Sequence, residues 1–141
     1  MKVFSFLYFI LCFFSTDLVA EDLTIKITGL RSNNGQIMIA LYNKEDEWLD
    51  FDKAVSQTKQ KLKDKNFVVT YKNLEQGYYG IAVYHDENMD GELNFSFFPP
   101  GPSEGVGFSR ISKMGFGRPS WSDTNFKLDH DLEIEIATIN P

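Results

Sequence analysis

The sequence is poor in cysteine. Its 141 residues include one, Cys12, which lies in an apolar N-terminal segment. The rest of the chain can therefore form no intramolecular disulfide bond. A domain of this size without disulfides must be held together by its hydrophobic core, with a bound metal ion as the alternative source of extra stability.

Basic residues are also scarce relative to acidic ones. The chain has 14 Lys and Arg against 20 Asp and Glu, which gives a net charge of −6. Nucleic acids and anionic lipids attract basic surfaces. The composition therefore argues against nucleic acid or anionic lipid as a partner, whereas it is compatible with a bound cation.

One long apolar run stands at the start of the chain. Residues 3–14 are almost entirely apolar, Lys2 precedes them and a more polar stretch ends at Ala20. The run is too short to cross a bilayer as a helix, and its flanks are typical of a signal peptide. We expect residues 1–20 to be a signal peptide and residues 21–141 to be one exported domain, periplasmic or extracellular, without a transmembrane segment.

Long helical periodicity is absent, and runs of period two replace it. Apolar and polar residues alternate in residues 23–28 and 132–139, which is typical of strands with one buried face. Residues 36–42 and 78–85 are nearly continuously apolar, as in central strands. About seven short strands predict an all-β fold, a single antiparallel β-sandwich of the immunoglobulin-like or prealbumin-like kind. The turn at Asn34-Gly35 predicts a hairpin between the first two strands.

Glycine and proline are concentrated in residues 99–119, where they disfavour both helices and ladders. The sequence therefore predicts one long Gly/Pro-rich loop, and loops of this length are often functional. An aromatic run, Phe95-Ser96-Phe97-Phe98, stands just before it. One hypothesis for function is thus a cell-envelope carbohydrate- or protein-binding module that uses residues 95–121, from Phe95 to Trp121.

An acidic stretch, residues 86–94, follows the strongest strand directly. It places side-chain oxygens at its first, third and fifth positions and Gly91 at its sixth, which is the pattern of a loop that wraps around calcium. The carbonyl of the seventh residue and the side chain of the ninth complete the set. The predicted calcium ligands are Asp86, Asn88, Asp90, Glu92 and Asn94.

The twelfth position departs from that pattern, since Phe97 stands where an EF-hand has a bidentate glutamate. The loop is therefore not an EF-hand, and a further ligand would have to come from Glu104 or Glu87. The expected affinity is weak, with a dissociation constant of roughly 10⁻⁴–10⁻³ M. The alternative is a solvated turn, because Asp, Asn and Gly are also the ordinary residues of turns.

Signals for catalysis are few. A hydrolase that uses His85 with the acidic loop is conceivable, but a histidine packed at the end of a strand explains the same residue. The sequence contains neither a nucleophile elbow nor a glycine-rich phosphate loop that leads into a helix. We therefore predict a protein that is not an enzyme, with no catalytic residues.

Four stretches together carry a family resemblance. They are residues 23–32 with 35–37 and 40–42, residues 74–88, residues 105–109, and residues 115–121 with Phe126. In combination they resemble a family of bacterial exported proteins known as domain of unknown function 2141, over essentially the whole of residues 21–141. The resemblance implies a periplasmic or secreted location and no particular activity.

The chain departs from that family at Arg110-Ile111, where members often carry two asparagines. Any role of those amides is therefore in doubt here. The pattern of residues 74–83 also resembles, more remotely, transthyretin-like and collagen-adhesin-B-type β-sandwich modules. That likeness concerns the fold and assigns no role.

Overall fold

The computed structural model describes residues 19–141 and confirms the all-β class. Apart from its last two positions, the predicted signal peptide lies outside the described residues. Within residues 19–141, none of the helices has the length and apolar character that crossing a membrane requires.

Ten strands form in the described part of the chain, four of them only three residues long. One short helix, α1 (Trp121–Thr124), and two 3₁₀ turns, Glu45–Glu47 and Phe51–Lys53, complete the regular structure. The strands are β1 (Ala20–Thr28), β2 (Gln36–Tyr42), β3 (Ser56–Lys61), β4 (Phe67–Glu75), β5 (Gly77–Asp86), β6 (Phe95–Phe97), β7 (Pro100–Pro102), β8 (Val106–Phe108), β9 (Phe126–Leu128) and β10 (Leu132–Ala137).

Two sheets enclose the core, as in a sandwich. The first has the order β10-β1-β4; the second has the order β3-β2-β5-β8, with β9 paired to the start of β5. The two sheets are antiparallel except for one ladder, since β1 and β10 run parallel, with Leu23 opposite Leu132 and Ile27 opposite Ile136. A parallel pair needs a long connection, and here most of the domain lies between its two strands.

The predicted hairpin between β1 and β2 is wrong. These strands belong to different sheets, and residues 29–35 cross from one sheet to the other. Gly35 does have the expected positive φ, of 76°. The Asn34-Gly35 pair therefore specifies a local turn but not the strand that follows as a partner. Strand β2 instead lies between β3 and β5, which fits the prediction of a central strand.

The core is built from the inward faces of the long strands. Strand β1 alternates as predicted, and its inward side chains are fully buried, as are those of β2 and β5. Burial of such aliphatic side chains is the main source of stability in a domain without disulfides. The fully or almost fully buried residues on these three strands are Leu23, Ile25, Ile27, Ile37, Ile39, Leu41, Ile81 and Val83.

Aromatic residues cover part of the outer face of the second sheet. The ring of Trp48 lies 5.1 Å from Tyr42, 6.3 Å from Phe108 and 5.7 Å from Trp121, in edge-to-face arrangements. The pair of indoles packs onto Gly80, where a Cβ would lie 2.8 Å from Trp121 and 2.9 Å from Trp48. This cover buries the outer face of β2 at Tyr42, and every residue of β2 is buried.

The predicted long Gly/Pro-rich loop is interrupted by short strands. Strand β7 pairs with β6 to form a hairpin, and β8 joins the edge of the second sheet next to β5. Proline lacks an N–H and is tolerated in strands mainly at edges. The prolines at 100 and 102 accordingly lie in a two-stranded ribbon that joins neither of the larger sheets.

Replacing Gly35 by alanine should destabilise the fold strongly. A Cβ at Gly35 would lie 2.2 Å from the carbonyl oxygen of Asp86 and 2.6 Å from Cα of Glu87, and the positive φ adds strain. We expect Gly35→Ala to lower the free energy of unfolding by about 2–5 kcal/mol in urea denaturation. In the control Gly115→Ala, the new methyl group meets nothing within 4 Å, so stability should change by less than about 0.5 kcal/mol. Equal stabilities for the two variants would contradict the close approach at Gly35.

Candidate cation site

Strand β5 delivers Asp86 to one end of the second sheet, opposite Gln36 of β2. Asp86 is 0 % exposed. Its Oδ2 accepts hydrogen bonds from Nε2 of Gln36 at 2.5 Å and from the backbone N–H of Gly91 at 2.8 Å. Its Oδ1 is equally buried but has no hydrogen-bond partner among the described residues. One oxygen of a buried carboxylate is thus left unsatisfied, which is costly in a protein interior.

The backbone beyond Asp86 folds back on itself as the sequence pattern predicts. Met89 and Gly91 have positive φ values of 63° and 82°, and Gly91 makes the sharp turn expected at the sixth position. Oδ1 of Asn88 accepts a hydrogen bond from the N–H of Asp90 at 3.1 Å, and Oδ1 of Asp90 accepts one from the N–H of Glu92 at 2.9 Å. The side chains at the third and fifth positions are therefore held by the loop's own backbone.

Three of the predicted ligands meet in one polar cluster. Nδ2 of Asn88 donates to Oδ2 of Asp90 at 2.8 Å and to Oδ1 of Asn94 at 2.9 Å, and Nδ2 of Asn94 also donates to Oδ2 of Asp90 at 3.1 Å. Hydrogen bonds from Glu92 and Asn94 lower the pKa of Asp90. Glu92 contributes its backbone N–H, and its side chain is exposed. The amide N–H groups of Asn88 and Asn94 therefore supply the positive partial charge that the oxygens of Asp90 require.

Glu104, one of the two further ligands considered from the sequence, does lie at this loop. It is only 5 % exposed. Its Oε1 accepts from the N–H of Glu87 at 3.2 Å and its Oε2 from the N–H of Asn94 at 3.1 Å, so one carboxylate bridges both sides of the loop. Burial raises the pKa of Glu104, and the negative charges of Asp86 and Asp90 raise it further.

Glu87, the other candidate, is engaged elsewhere. Its carboxylate forms an ion pair with Arg31 and accepts a hydrogen bond from Oγ of Ser32 at 2.7 Å. The hydrogen bond from Arg31 is the largest of the effects that lower the pKa of Glu87. Glu87 therefore ties the loop to residues 29–35, and its charge is already compensated.

The charges of Asp86, Asp90 and Glu104 are not compensated in the same way. None of the three forms an ion pair with a lysine or arginine of residues 19–141. Lys59 approaches the loop, since its Nζ lies 3.7 Å from the point that a Cβ on Gly91 would occupy. It forms no ion pair with the loop's carboxylates. Nor do three acidic, histidine or cysteine side chains within residues 19–141 converge as a preformed metal cage. The predicted ligand set thus depends on amide and main-chain oxygens as well as on carboxylates.

His85 lies apart from this cluster, although it precedes Asp86 in the chain. Successive side chains of a strand point to opposite faces, so the imidazole is directed into the sandwich. It is buried, its Nε2 donates to the carbonyl oxygen of Asn34 at 2.7 Å, and its backbone N–H donates to Gly105 at 2.8 Å. This environment fits the expectation of a packed histidine at the end of a strand.

One residue of the site was missed from the sequence. Gln36 opens a strand that is otherwise apolar, is buried, and donates to Asp86. A buried amide at the end of an apolar strand could have been noticed, since such a group needs a polar partner. Which carboxylate it would meet depends on the β2–β5 register, which the sequence does not specify.

Fold and site together define a β-sandwich with an acidic loop at one end of its second sheet, in which Asp86 is buried and most of the other residues are partly or fully exposed. Residues 25–135 match the family described as an uncharacterized protein conserved in bacteria, DUF2141. The chain belongs to this family, as the four sequence stretches suggested. No curated protein and no solved structure matches it, so the remoter resemblance to transthyretin-like modules is not confirmed.

The raised pKa of Glu104 predicts a particular pH dependence of stability. An acid whose pKa is higher in the folded state contributes stability below its ordinary value of 4.5. That contribution is lost as the pH rises through the raised pKa. In chelator, the unfolding free energy of wild type minus that of Glu104→Gln should therefore fall as the pH rises from 4.5 to the raised pKa, and it should level off above that pKa. Denaturant titrations between about pH 4 and pH 8 measure it; a difference that stays constant or grows would contradict the burial of an ionisable Glu104.

Proposed function

We propose that this protein is an exported, non-enzymatic β-sandwich whose loop of residues 86–94 binds calcium and thereby stabilises one end of the second sheet. The observation that carries the proposal is the unpartnered Oδ1 of Asp86, on a side chain that is fully buried. A buried carboxylate oxygen needs either a donor or a cation. A bound cation would satisfy this oxygen without any change in the two hydrogen bonds that Oδ2 already makes.

The neighbouring charges support a cation rather than a proton donor. Asp90 belongs to the same loop, and Glu104 bridges the loop's two sides while its pKa is raised partly by Asp86 and Asp90. Like charges that approach one another disfavour ionisation, and a divalent ion reverses that effect. A cation beside Glu104 would favour the ionised form of that side chain.

The donor set suits calcium better than a transition metal. It consists of carboxylate, amide and main-chain oxygens, which are the ligands of a hard cation, and His85 is directed away from it. In the proposed complex Asp86 and Asp90 supply charge, and the amide oxygens of Asn88 and Asn94 and the carbonyl of Glu92 complete the coordination. Asn88 and Asn94 would then exchange their present mutual hydrogen bond for contacts with the ion.

The alternative, an envelope glycan- or protein-binding module built on residues 95–121, meets a geometric obstacle. Phe95 follows the acidic loop beyond the end of β5 at Asp86, whereas Trp121 packs on Gly80. Asp86 lies six positions beyond Gly80 along β5, which is roughly 20 Å. The segment therefore does not form one continuous face, and this function ranks below cation binding. A hydrolase that uses His85 ranks lower still, because the imidazole is buried.

Calcium should raise the stability of residues 21–141, and the Asp86→Asn variant should not respond. The substitution keeps the size of the side chain but removes its charge. At a hundredfold excess over the dissociation constant, a site on the native state adds about 2.7 kcal/mol, or several degrees in the melting temperature. Thermal melts in about 10 mM calcium and in chelator measure this shift. That concentration is a hundredfold excess when the dissociation constant is about 10⁻⁴ M, the tighter end of the expected range.

The matched control is Asp64→Asn, which removes the same charge from the exposed turn between β3 and β4. It should retain the full calcium shift. An equal shift in Asp86→Asn and wild type would show that calcium acts elsewhere. No shift in wild type would show that residues 86–94 are a solvated turn. A shift that magnesium reproduces in full would contradict selectivity for calcium.

Export predicts a defined mature N-terminus. When the complete chain is expressed in a bacterium, cleavage after Ala20 should yield a product that begins at Glu21, outside the cytoplasm. Intact-mass measurement of cell fractions checks this. The variant Leu11→Arg, which interrupts the apolar run, should stay uncleaved in the cytoplasm, whereas the exposed substitution Lys26→Arg should be exported normally. A full-length wild-type chain in the cytoplasm would contradict export.

A further inference from the structure

The hairpin formed by β6 and β7 presents aromatic side chains to solvent. Phe97 is 98 % exposed, Phe98 is 94 % exposed and Phe95 is 67 % exposed. Large apolar side chains clustered on a surface mark a place where something else binds. The rest of the described chain exposes such groups mainly one at a time, as in Val68 and Phe116.

The hairpin also carries no charged side chain. Between Glu92 and Glu104 the chain contains no Asp, Glu, Lys or Arg, although charged residues make up 24 % of the whole sequence. An apolar phase could therefore accept the tip of the hairpin without desolvating an ion, a step that is expensive. The nearest charges, those of the acidic loop and Glu104, lie at the base of the hairpin.

Proline disfavours a second way in which a hairpin could bind a partner, the pairing of its edge with another strand. Pro99, Pro100 and Pro102 carry no N–H, so β7 can donate only through Gly101. Addition of a strand to an edge needs a row of donors and acceptors. Backbone N–H groups without a hydrogen-bond acceptor also raise the free energy of transferring an irregular segment into a lipid phase. The three prolines therefore disfavour strand addition and lower the cost of entering an apolar medium.

The base of the hairpin is fixed to the sandwich. The N–H of Ser103 donates to the carbonyl of Asn94 at 2.9 Å, and the N–H of Asn94 donates to Glu104. Phe95 pairs with Pro102, and Phe97 pairs with Pro100. These contacts hold the tip away from the sheets, so its phenylalanines remain available to an external phase.

The exposed area is too small for a second copy of the chain. A phenylalanine side chain buries about 150–250 Å², so three of them offer roughly 500 Å². A stable protein interface needs about 800 Å² per partner. A lipid surface, in contrast, requires neither a matched area nor a complementary shape.

We infer that the β6–β7 hairpin inserts its tip, Phe97 and Phe98, into the interfacial region of a lipid bilayer. The net charge of −6 and the acidic groups at the base favour a zwitterionic surface over an anionic one. Insertion is peripheral, since aromatic side chains at the headgroup boundary anchor a protein without spanning the membrane. The inference does not use the calcium proposal.

Co-sedimentation with vesicles of palmitoyl-oleoyl phosphatidylcholine tests the inference. Residues 21–141 are used, because they contain every residue of the core described above and omit the apolar N-terminal run, which would bind lipid itself. Chelator is present throughout, so that calcium binding cannot affect the outcome. The double variant Phe97→Ser/Phe98→Ser should partition at least about tenfold more weakly than the wild type.

Phe116→Ser is the matched control, since Phe116 is fully exposed in a different loop. It should bind vesicles as the wild type does, and melting temperatures should agree for all three proteins because the substituted side chains make no core contacts. Failure of the wild type to bind, or equal binding by the double variant, would overturn the inference. So would an equal loss in Phe116→Ser. Self-association that only the double variant abolishes, without vesicle binding, would assign the hairpin to a protein contact instead.

Discussion

The buried carboxylate of Asp86 is the constraint on which this end of the molecule depends. Through Oδ2 it joins the start of β2, at Gln36, to the turn at Gly91. Its own backbone carbonyl lies so close to the crossover from β1 that only glycine fits at position 35. The end of the second sheet, the crossover and the acidic loop are therefore mutually fixed around one ionisable group.

A domain without disulfides gains from such polar ties, because the ends of strands lose contacts with the apolar core first. The tie has a cost, since two carboxylates, those of Asp86 and Glu104, are withdrawn from water near each other. Hydrogen bonds to Oδ2 of Asp86 and to both oxygens of Glu104 offset much of that cost. A cation bound at the remaining Oδ1 of Asp86 would offset the rest of the cost of burying these carboxylates.

The sequence predicted the features that local patterns encode. Alternation identified β1 and the inward faces of Leu23 and Ile25, and the glycine in the acidic loop identified its sharp turn. Pairing between distant strands was not encoded locally. The turn at Asn34-Gly35 has its expected conformation but leads into the other sheet. Likewise, the meeting of Gln36 with Asp86, separated by 50 residues, depends on a register that only the packed core determines.

Asn94 connects the two regions that carry the functional proposals. Its side chain belongs to the polar cluster with Asn88 and Asp90, its N–H is held by Glu104, and its carbonyl accepts from Ser103 at the base of the hairpin. Any ion that holds this side chain therefore also restricts the base from which the phenylalanines project. By linkage, an effect of the ion on the hairpin's binding must be matched by an equal effect of that binding on the ion's affinity. The acidic loop and the aromatic hairpin, adjacent in the chain, are thus connected through the contacts of Asn94 at this end of the sandwich.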